Sequence, residues 1–306
     1  MTARRTGLAL AFAAALISGV SVWVNAMAVR TFGDPVLYTT VKNVIAAALL
    51  IGIALAWTAR RSPHGLTRPS GSRQIFGLGV VGIFGGGLAF VLFFEGLSRT
   101  TAASAGFIQK TLVIWVAILA VSFLRERFGR LHVAAIGLLM AGQIAAAGGF
   151  AMPALSGGEA LVFIATLIWA AEVVIAKRLL TGLSPLTVAS ARMGIGGLAL
   201  IAFSFTGGHV AAFTSLSVTQ WTWVALTGLI LTAYVATWLS ALARSPATDV
   251  TAVLVFGAII TAVLNSGGQV TQLAPAALGL GLIGAGTIAV AILAMRSQGR
   301  VRQPEM

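Results

Sequence analysis

Five ionisable residues lie inside long apolar stretches of this sequence and are its best candidates for chemistry: Lys42, Glu95, Lys110, Glu172 and Arg192. A charge at the centre of a membrane-spanning helix costs roughly 2.5–3.5 kcal/mol on insertion scales, so such a residue indicates a function by default. Glu172 and Arg192 each lie about seven or eight residues from the same end of consecutive stretches, which gives them one depth. We predict that they pair, either as a salt bridge that locks helix packing or as a gating or proton-linked pair.

Lys110 is the strongest candidate for ligand contact. It lies about 12 Å inside its stretch, too deep for its ammonium to reach the membrane surface easily, so we expect a wet cavity around it. There it could hold a substrate carboxylate; the alternative is a pair with Glu95 or with carbonyls at a helix end. Lys42 lies nearer to a surface, so it either extends its ammonium to that surface or takes part in gating or in an ion pair. Glu95 is the remaining ion-pair candidate.

Four aromatic residues and one amide inside the stretches are candidates to line the same cavity: Trp169, Phe90, Tyr234, Trp238 and Asn25. An apolar ring, with one donor in Trp and Tyr, suits a cavity for an amphipathic solute. For each aromatic residue the alternative is plain packing between helices. For Asn25 the alternative is an interhelical hydrogen bond.

Catalytic chemistry has little support in the sequence. Cysteine is absent, which removes thiolate catalysis and Cys-based metal sites. The three histidines are predicted in different places, His64 in a basic loop, His132 near a cytoplasmic helix end and His209 in an outer loop, so they cannot easily form one metal site. Neither a Gly-x4-Gly-Lys-Ser/Thr phosphate loop nor a Gly-x-Ser-x-Gly nucleophile motif occurs. We therefore predict a protein that is not an enzyme and that uses no metal and no cofactor.

The composition indicates that lipid is the solvent for most of the chain. Of the 306 residues, 58% are hydrophobic and only 9% are charged, whereas soluble domains carry about a quarter of charged residues. The net charge of +13 would suggest a nucleic-acid partner in a soluble protein. Here most basic residues lie between apolar stretches, where they orient the chain and contact anionic headgroups. Membrane lipid, and not nucleic acid, is the expected partner.

Ten spans are predicted, and they make the protein an all-α integral membrane protein. Continuous apolar runs of about 20 residues favour helices over alternating barrel strands. The first span resembles a signal peptide, but nine further spans favour its staying attached. The spans cover approximately 7–29, 36–58, 75–97, 102–124, 129–150, 158–180, 186–205, 219–241, 247–268 and 275–295.

The distribution of Lys and Arg between the spans is one-sided, and these residues resist translocation. One side carries only Arg30 and Arg99. The other side carries Arg4, Arg5, Arg60, Arg61, Arg68, Arg73, Arg125, Arg127, Arg130, Lys177, Arg178, Arg244, Arg296, Arg300 and Arg302. With an even number of spans, this predicts that both termini are cytoplasmic.

An internal repeat divides the chain into residues 1–150 and 151–306. An offset of 150 aligns Pro35 with Pro185 and Lys42 with Arg192, and an offset of 145 aligns 96–102 with 241–247. Each half then holds five spans, and because five is odd, the halves enter the membrane from opposite sides. We predict two inverted five-helix repeats around a central cavity near the midplane.

The order of these features resembles the drug/metabolite transporter superfamily, EamA type, over nearly the whole chain. Each half begins with a Trp-containing span, at Trp23 and Trp169, and continues with Pro-x6-basic. The first half ends with Phe-Leu-Arg-Glu-Arg-Phe at 123–128 and a Gly-rich fifth span. The family's fourth-span proline is missing near Thr111. The resemblance implies a ten-helix inner-membrane exporter of small metabolites, with amino acids as the best-known cargo and the amino-acid exporter branch as the nearest one.

We therefore predict a secondary transporter that exports amino acids or similar small metabolites across the bacterial inner membrane by alternating access, as a monomer or weak homodimer. An exporter of amphipathic drugs and a non-transporting membrane scaffold are the alternatives. Short loops leave little surface for a scaffold, and sparse polar positions do not supply a channel's continuous polar pore.

Overall fold

The computed structural model describes residues 3–62, 65–127, 129–147, 157–206, 213, 215–267 and 269–296. Within these ranges every regular element is a helix, so the predicted all-helical fold is confirmed. The helices are α1 Ala3–Phe32, α2 Pro35–Ala59, α3 Ser72–Arg99, α4 Ala102–Lys110 with Leu112–Leu119 and Ala120–Leu124, α5 Arg130–Ala146, α6 Gly157–Leu179, α7 Pro185–Thr206, α8 Val218–Arg244, α9 Ala247–Leu254 with Gly257–Asn265, and α10 Ala277–Arg296 after a short turn at Val270–Ala276.

The lengths of the described helices agree with the predicted spans. Nine of them are long and apolar enough to cross a membrane, and α5 is a shorter apolar helix of 17 residues. The fifth predicted span ran to residue 150, but α5 ends at Ala146, and residues 148–156 lie outside the described part.

Local capping residues fix where several helices begin. The Asp34 side chain accepts hydrogen bonds from the backbone N–H groups of Val36 and Leu37, and Pro35 occupies the first turn of α2, where no amide donor is needed. At the start of α8, Ser217 and Gln220 form a reciprocal capping box. These polar contacts lie at the ends of apolar helices, where the first N–H groups have no partner within the helix.

The helices pack across the two halves in a symmetric pattern. Helix α1 packs on α8 and α9, and the equivalent helix α6 packs on α3 and α4. The remaining equivalent helices pair with each other, α2 with α7 and α5 with α10. A twofold exchange of the halves preserves every one of these contacts, as two inverted five-helix repeats require.

The fourth helix of each half is interrupted near its middle. Helix α4 breaks at Thr111, whose N–H donates to the Ile108 carbonyl at 3.1 Å; α9 breaks at Phe256, whose N–H donates to the Val253 carbonyl at 3.0 Å. Both are hydrogen bonds from residue i to residue i−3, as in a 3₁₀-helix, and they tighten the helix locally. The offset of 145 relates Thr111 to Phe256, so the two breaks are equivalent. The sequence analysis took both spans as continuous because neither contains a proline here.

Helix α3 contains a π-helical segment at Val81–Leu88, where four of the eight residues are glycine. The glycines allow this segment to lie against α7. A Cβ on Gly86 would overlap the Arg192 carbonyl oxygen, and a Cβ on Gly82 would lie 2.5 Å from Ile195. The Gly-rich third span thus serves close packing and changes the helix type at the level of the candidate site.

Candidate functional site

A central cavity of about 150 Å³ lies between the two halves. It is lined from α1, α2, α3 and α4 in the first half and from α6, α7, α8 and α9 in the second. Nine of the ten predicted site residues line it: Lys110, Trp169, Phe90, Tyr234, Trp238, Asn25, Glu172, Arg192 and Lys42. Glu95 does not. An apolar cavity of similar volume in another protein holds benzene, so this one has room for a small solute.

Glu172 and Arg192 form the predicted ion pair between α6 and α7. Arg192 donates through Nε to Glu172 Oε1 and through Nη2 to Oε2, the latter at 3.1 Å. Their side chains are 2% and 5% exposed, so the pair is buried while still bordering the cavity. Because both carboxylate oxygens accept from the guanidinium, the arrangement is bidentate, which is the geometry that Arg favours.

The π-helical segment of α3 supplies acceptors to this pair. The Gly85 carbonyl accepts from Trp169 Nε1 at 3.1 Å and from Arg192 Nη2 at 3.3 Å. A side chain at Gly85 would occupy the space of the Glu172 carboxylate. The glycine therefore brings a backbone acceptor within reach of two side chains that line the cavity.

The position of Lys42 differs from the one that the sequence predicted. It is 2% exposed and lines the cavity, so it does not extend to a membrane surface. Its ammonium lies 3.8 Å from the ring centre of Phe94 and 4.7 Å from that of Tyr38, and it donates to Asn25 Oδ1 at 3.1 Å. Among the described residues no carboxylate lies within 4.0 Å of it, so the ion pair considered for Lys42 is not formed. Aromatic faces stabilise its charge instead.

Lys110 lies at the end of the first piece of α4, one residue before the break at Thr111. Within the described chain it forms neither a hydrogen bond nor an ion pair with protein, and it lines the cavity. The alternative partner, Glu95, is instead bonded to Arg99 one turn further along α3, where Arg99 is 58% exposed. A pair between Lys110 and Glu95 was therefore a wrong expectation.

Aromatic rings form two groups in the cavity wall. Trp169 contacts Phe90 edge-on at 5.4 Å between ring centres and Phe93 at 5.2 Å. Tyr234 and Trp238 lie parallel at 6.2 Å on α8. Asn25 accepts from Tyr38 and Lys42 and donates to the Ser21 carbonyl at 2.6 Å, so its interhelical bonding is present alongside its exposure to the cavity.

The structure adds lining residues that the sequence analysis did not select, chiefly Ser18, Ser21, Phe93, Phe94 and Gln109. Helical spacing was the available signal for most of them. Ser18, Ser21 and Asn25 lie three and four residues apart, which places them on one helix face. Adjacent residues of a helix point in different directions, yet Gln109 and Lys110 both border the cavity.

A comparison with protein-family models identifies the family of the chain. The model of the EamA-like transporter family matches residues 5–147 and again residues 156–293. The chain belongs to the EamA-like transporter family. The two matches cover one half each of this EamA protein, and each contains one interrupted fourth helix. Nothing in either match identifies the amino-acid exporter branch.

A solved structure described as "Crystal structure of protein" has a similar fold. Its TM-score is 0.73 at 20% identity, over 96% of this EamA chain and 99% of the other. At that identity the likeness shows the fold alone. A comparison with curated proteins found no match.

Polar contacts close one end of the EamA bundle, which we call the basic end and which carries Arg4 and Lys177. Arg4 of α1 pairs with Asp249 of α9 at 2.8 Å, and His132 of α5 lies 3.8 Å from the same carboxylate. Lys177 of α6 donates to the carbonyls of Leu242 and Ser245 at 2.6 and 2.8 Å, capping the end of α8. These contacts connect three helices, α1, α5 and α6, to α9 or to the end of α8 that precedes it.

The contacts of Glu126 explain the Leu-x-Glu-Arg element at residues 124–127. Its carboxylate accepts from the backbone N–H groups of Ala247 and Thr248 at 2.7 and 3.3 Å, and from the Thr248 hydroxyl at 3.0 Å. These donors are the free N–H groups at the start of α9, and a negative charge is favourable there. The element in the first half thus caps the interrupted helix of the second half.

At the opposite end, which carries Arg30 and Arg99, a second cavity of about 250 Å³ adjoins the first. The two share Ala26 and Leu97, and the second extends to Gly33, Pro35 and Thr100 in the connections between helices. The central cavity is therefore bordered by further space on this side and by a polar network on the other.

Removing the Glu126 carboxylate should loosen the basic end. We expect Glu126→Ala to raise, several-fold, the rate at which a thiol reagent modifies Ala247→Cys, a position that is fully buried. The reason is that the first turn of α9 loses a cap worth about 0.5–2 kcal/mol. Because the sequence has no cysteine, the reporter is the only thiol. Glu95→Ala, which removes a half-buried carboxylate at the opposite end, is the matched control, and equal labelling in both backgrounds would contradict the prediction.

Proposed function

We propose that this EamA protein is a secondary transporter that exports amino acids or similar small metabolites across the bacterial inner membrane by alternating access. The observation that carries the proposal is the central cavity, where side chains of both inverted halves meet around Lys110. A site between two inverted repeats, next to interrupted helices, is the arrangement that many secondary transporters use for binding. The one-sided distribution of basic residues supports cytoplasmic termini.

Alternating access is supported by the unequal ends of the bundle. The basic end is closed by side-chain contacts, whereas a second cavity adjoins the central one at the opposite end. In the proposed orientation, this conformation faces outward. A rocking motion of one half against the other would break the basic-end contacts and open the cytoplasmic side.

Export of amphipathic drugs is a second candidate, favoured by the aromatic wall formed by Trp169, Phe90, Phe93, Tyr234 and Trp238. Such a wall binds an apolar body without requiring a particular polar group. The ability of drugs to compete with amino acids for uptake separates this candidate from the first.

Uptake of a panel of radiolabelled amino acids into proteoliposomes tests the proposed function. We expect saturable uptake that Lys110→Ala removes, because the variant lacks a cavity cation that has no hydrogen-bond or ion-pair partner among the described residues. Arg73→Ala, an exposed site at the basic end, should retain uptake. An imposed pH gradient decides whether flux is coupled to protons. Absence of saturable uptake for every amino acid would overturn the amino-acid cargo.

A further inference from the structure

The charges that line the central cavity do not balance. Four of the described residues that line it are charged: Lys42, Lys110 and Arg192 are basic, and Glu172 is acidic. Both oxygens of Glu172 already accept from Arg192. Two lysines therefore border the cavity without a carboxylate partner among the described residues.

The repeat explains why the first half lacks this partner. The offset of 150 that relates Lys42 to Arg192 also relates Val22 to Glu172, and both Val22 and Glu172 line the cavity. A basic residue thus stands at equivalent positions of α2 and α7, but only the second half provides the acid. In its place, Lys42 contacts the rings of Phe94, Tyr38 and Phe90 and one amide oxygen.

An ammonium group on a solute would find no free anionic partner here. Aromatic faces could substitute for a carboxylate, but several already face protein cations: Lys42 lies over Phe94, and Arg192 lies 5.2 Å from Phe90 and 5.6 Å from Trp238. A second cation at these faces would be repelled by the first. A solute anion would instead be attracted by Lys42 and Lys110, because opposite charges interact strongly where little water is present.

From this imbalance we infer that the cavity selects a small carboxylate with an apolar body and no ammonium group, in preference to a zwitterionic amino acid. The inference rests on the proposed transport function, and of the cargoes proposed there it favours small metabolites without an ammonium group over amino acids. Lys110 holds the carboxylate, since it is the lysine without any protein partner in the described chain. Trp169 and Phe93 contact the body, and the cavity volume of about 150 Å³ limits its size.

Three ligands that share a phenylethyl group test the inference. At pH 7, 3-phenylpropionate is an anion, L-phenylalanine is a zwitterion and 2-phenylethylamine is a cation. Calorimetric titration of the purified protein gives each dissociation constant. We expect 3-phenylpropionate to bind at least tenfold more tightly than phenylalanine and the amine to show no binding. Lys110→Gln removes the advantage of the anion, Lys110→Arg retains it, and Arg73→Gln, an exposed site, leaves all three affinities unchanged.

A second variant tests the broken symmetry directly. Val22→Glu places a carboxylate at the position equivalent to Glu172, so the tenfold preference for the anion should shrink while the amine gains affinity. Binding of phenylalanine as tight as that of 3-phenylpropionate, or an unchanged preference in Lys110→Gln, overturns the inference. Uptake assays on the same preparation report on the proposed function separately: saturable flux of amino acids that bind better than their deaminated analogues keeps the transporter and removes the anion selectivity.

Discussion

Replacing Glu172 by Gln should strongly lower the stability of the protein. Arg192 would remain buried without its carboxylate, and breaking one side of a buried pair costs about 3–5 kcal/mol. We expect the thermal unfolding midpoint in detergent to fall by roughly 5–15 °C. The matched control is Glu95→Gln, whose partner Arg99 is 58% exposed and whose pair is worth about 0–1 kcal/mol.

A double variant separates the structural role of the pair from a role in transport. In Glu172→Met/Arg192→Met both charges are gone, so no unpaired charge is buried and stability should return close to wild type. Saturable uptake should nevertheless be lost in the double variant, because both native side chains border the cavity. Recovery of uptake together with stability would show that the pair only locks helix packing.

Replacing Gly196 by Ala is the second change with a large expected effect. Helices α3 and α7 are in backbone contact here, and a Cβ on Gly196 would lie 2.8 Å from Gly86 Cα and closer still to the Gly86 carbonyl carbon. The helices must separate, which costs about 1–3 kcal/mol by overpacking. Separation also removes the Gly85 carbonyl from Arg192, so uptake should fall as well.

Gly194→Ala provides the control for this prediction. It lies on the same helix one half-turn away, and its new Cβ would meet only Ile51 Cδ1, at 3.4 Å. Since Ala is a better helix former than Gly, this variant should be neutral or more stable by as much as about 1 kcal/mol. Unfolding midpoints and the yield of monodisperse protein measure both variants. Equal midpoints for the two would contradict the role of the α3–α7 contact.

The sequence predicted features that depend on depth in the membrane. Counting residues from the span ends placed Glu172 and Arg192 at one level, and the pair is present. The same counting failed for Lys42, because depth says nothing about the direction a side chain takes around the helix axis. That direction brings Lys42 to Phe94 and Asn25, and it follows from tertiary packing.

Departures from regular helix geometry were not predictable from residue types. The breaks at Thr111 and Phe256 occur without proline, which is the usual signal for an interrupted helix. In the sequence, the π-helical segment at Val81–Leu88 is a Gly-rich run, and such a run is compatible with close helix packing or with a bend. Both features depend on contacts between halves, and no local pattern records those contacts.

The unequal halves have a consequence for the direction of transport. In a perfectly symmetric inverted repeat, the two facing states would be related by the twofold axis in the membrane plane, with equal energies and equal affinities on both sides of the membrane. Here Val22 occupies the position equivalent to Glu172 in the repeat. When the two halves exchange conformations, Arg192, which is paired with Glu172, and Lys42, which has no carboxylate partner among the described residues, exchange roles. Under the proposed alternating-access mechanism the two states therefore differ in energy, and half-saturation concentrations measured from the two faces should differ too. Without a coupled ion such sidedness changes kinetics only, because the ratio of concentrations at equilibrium stays fixed by the gradient of the solute itself.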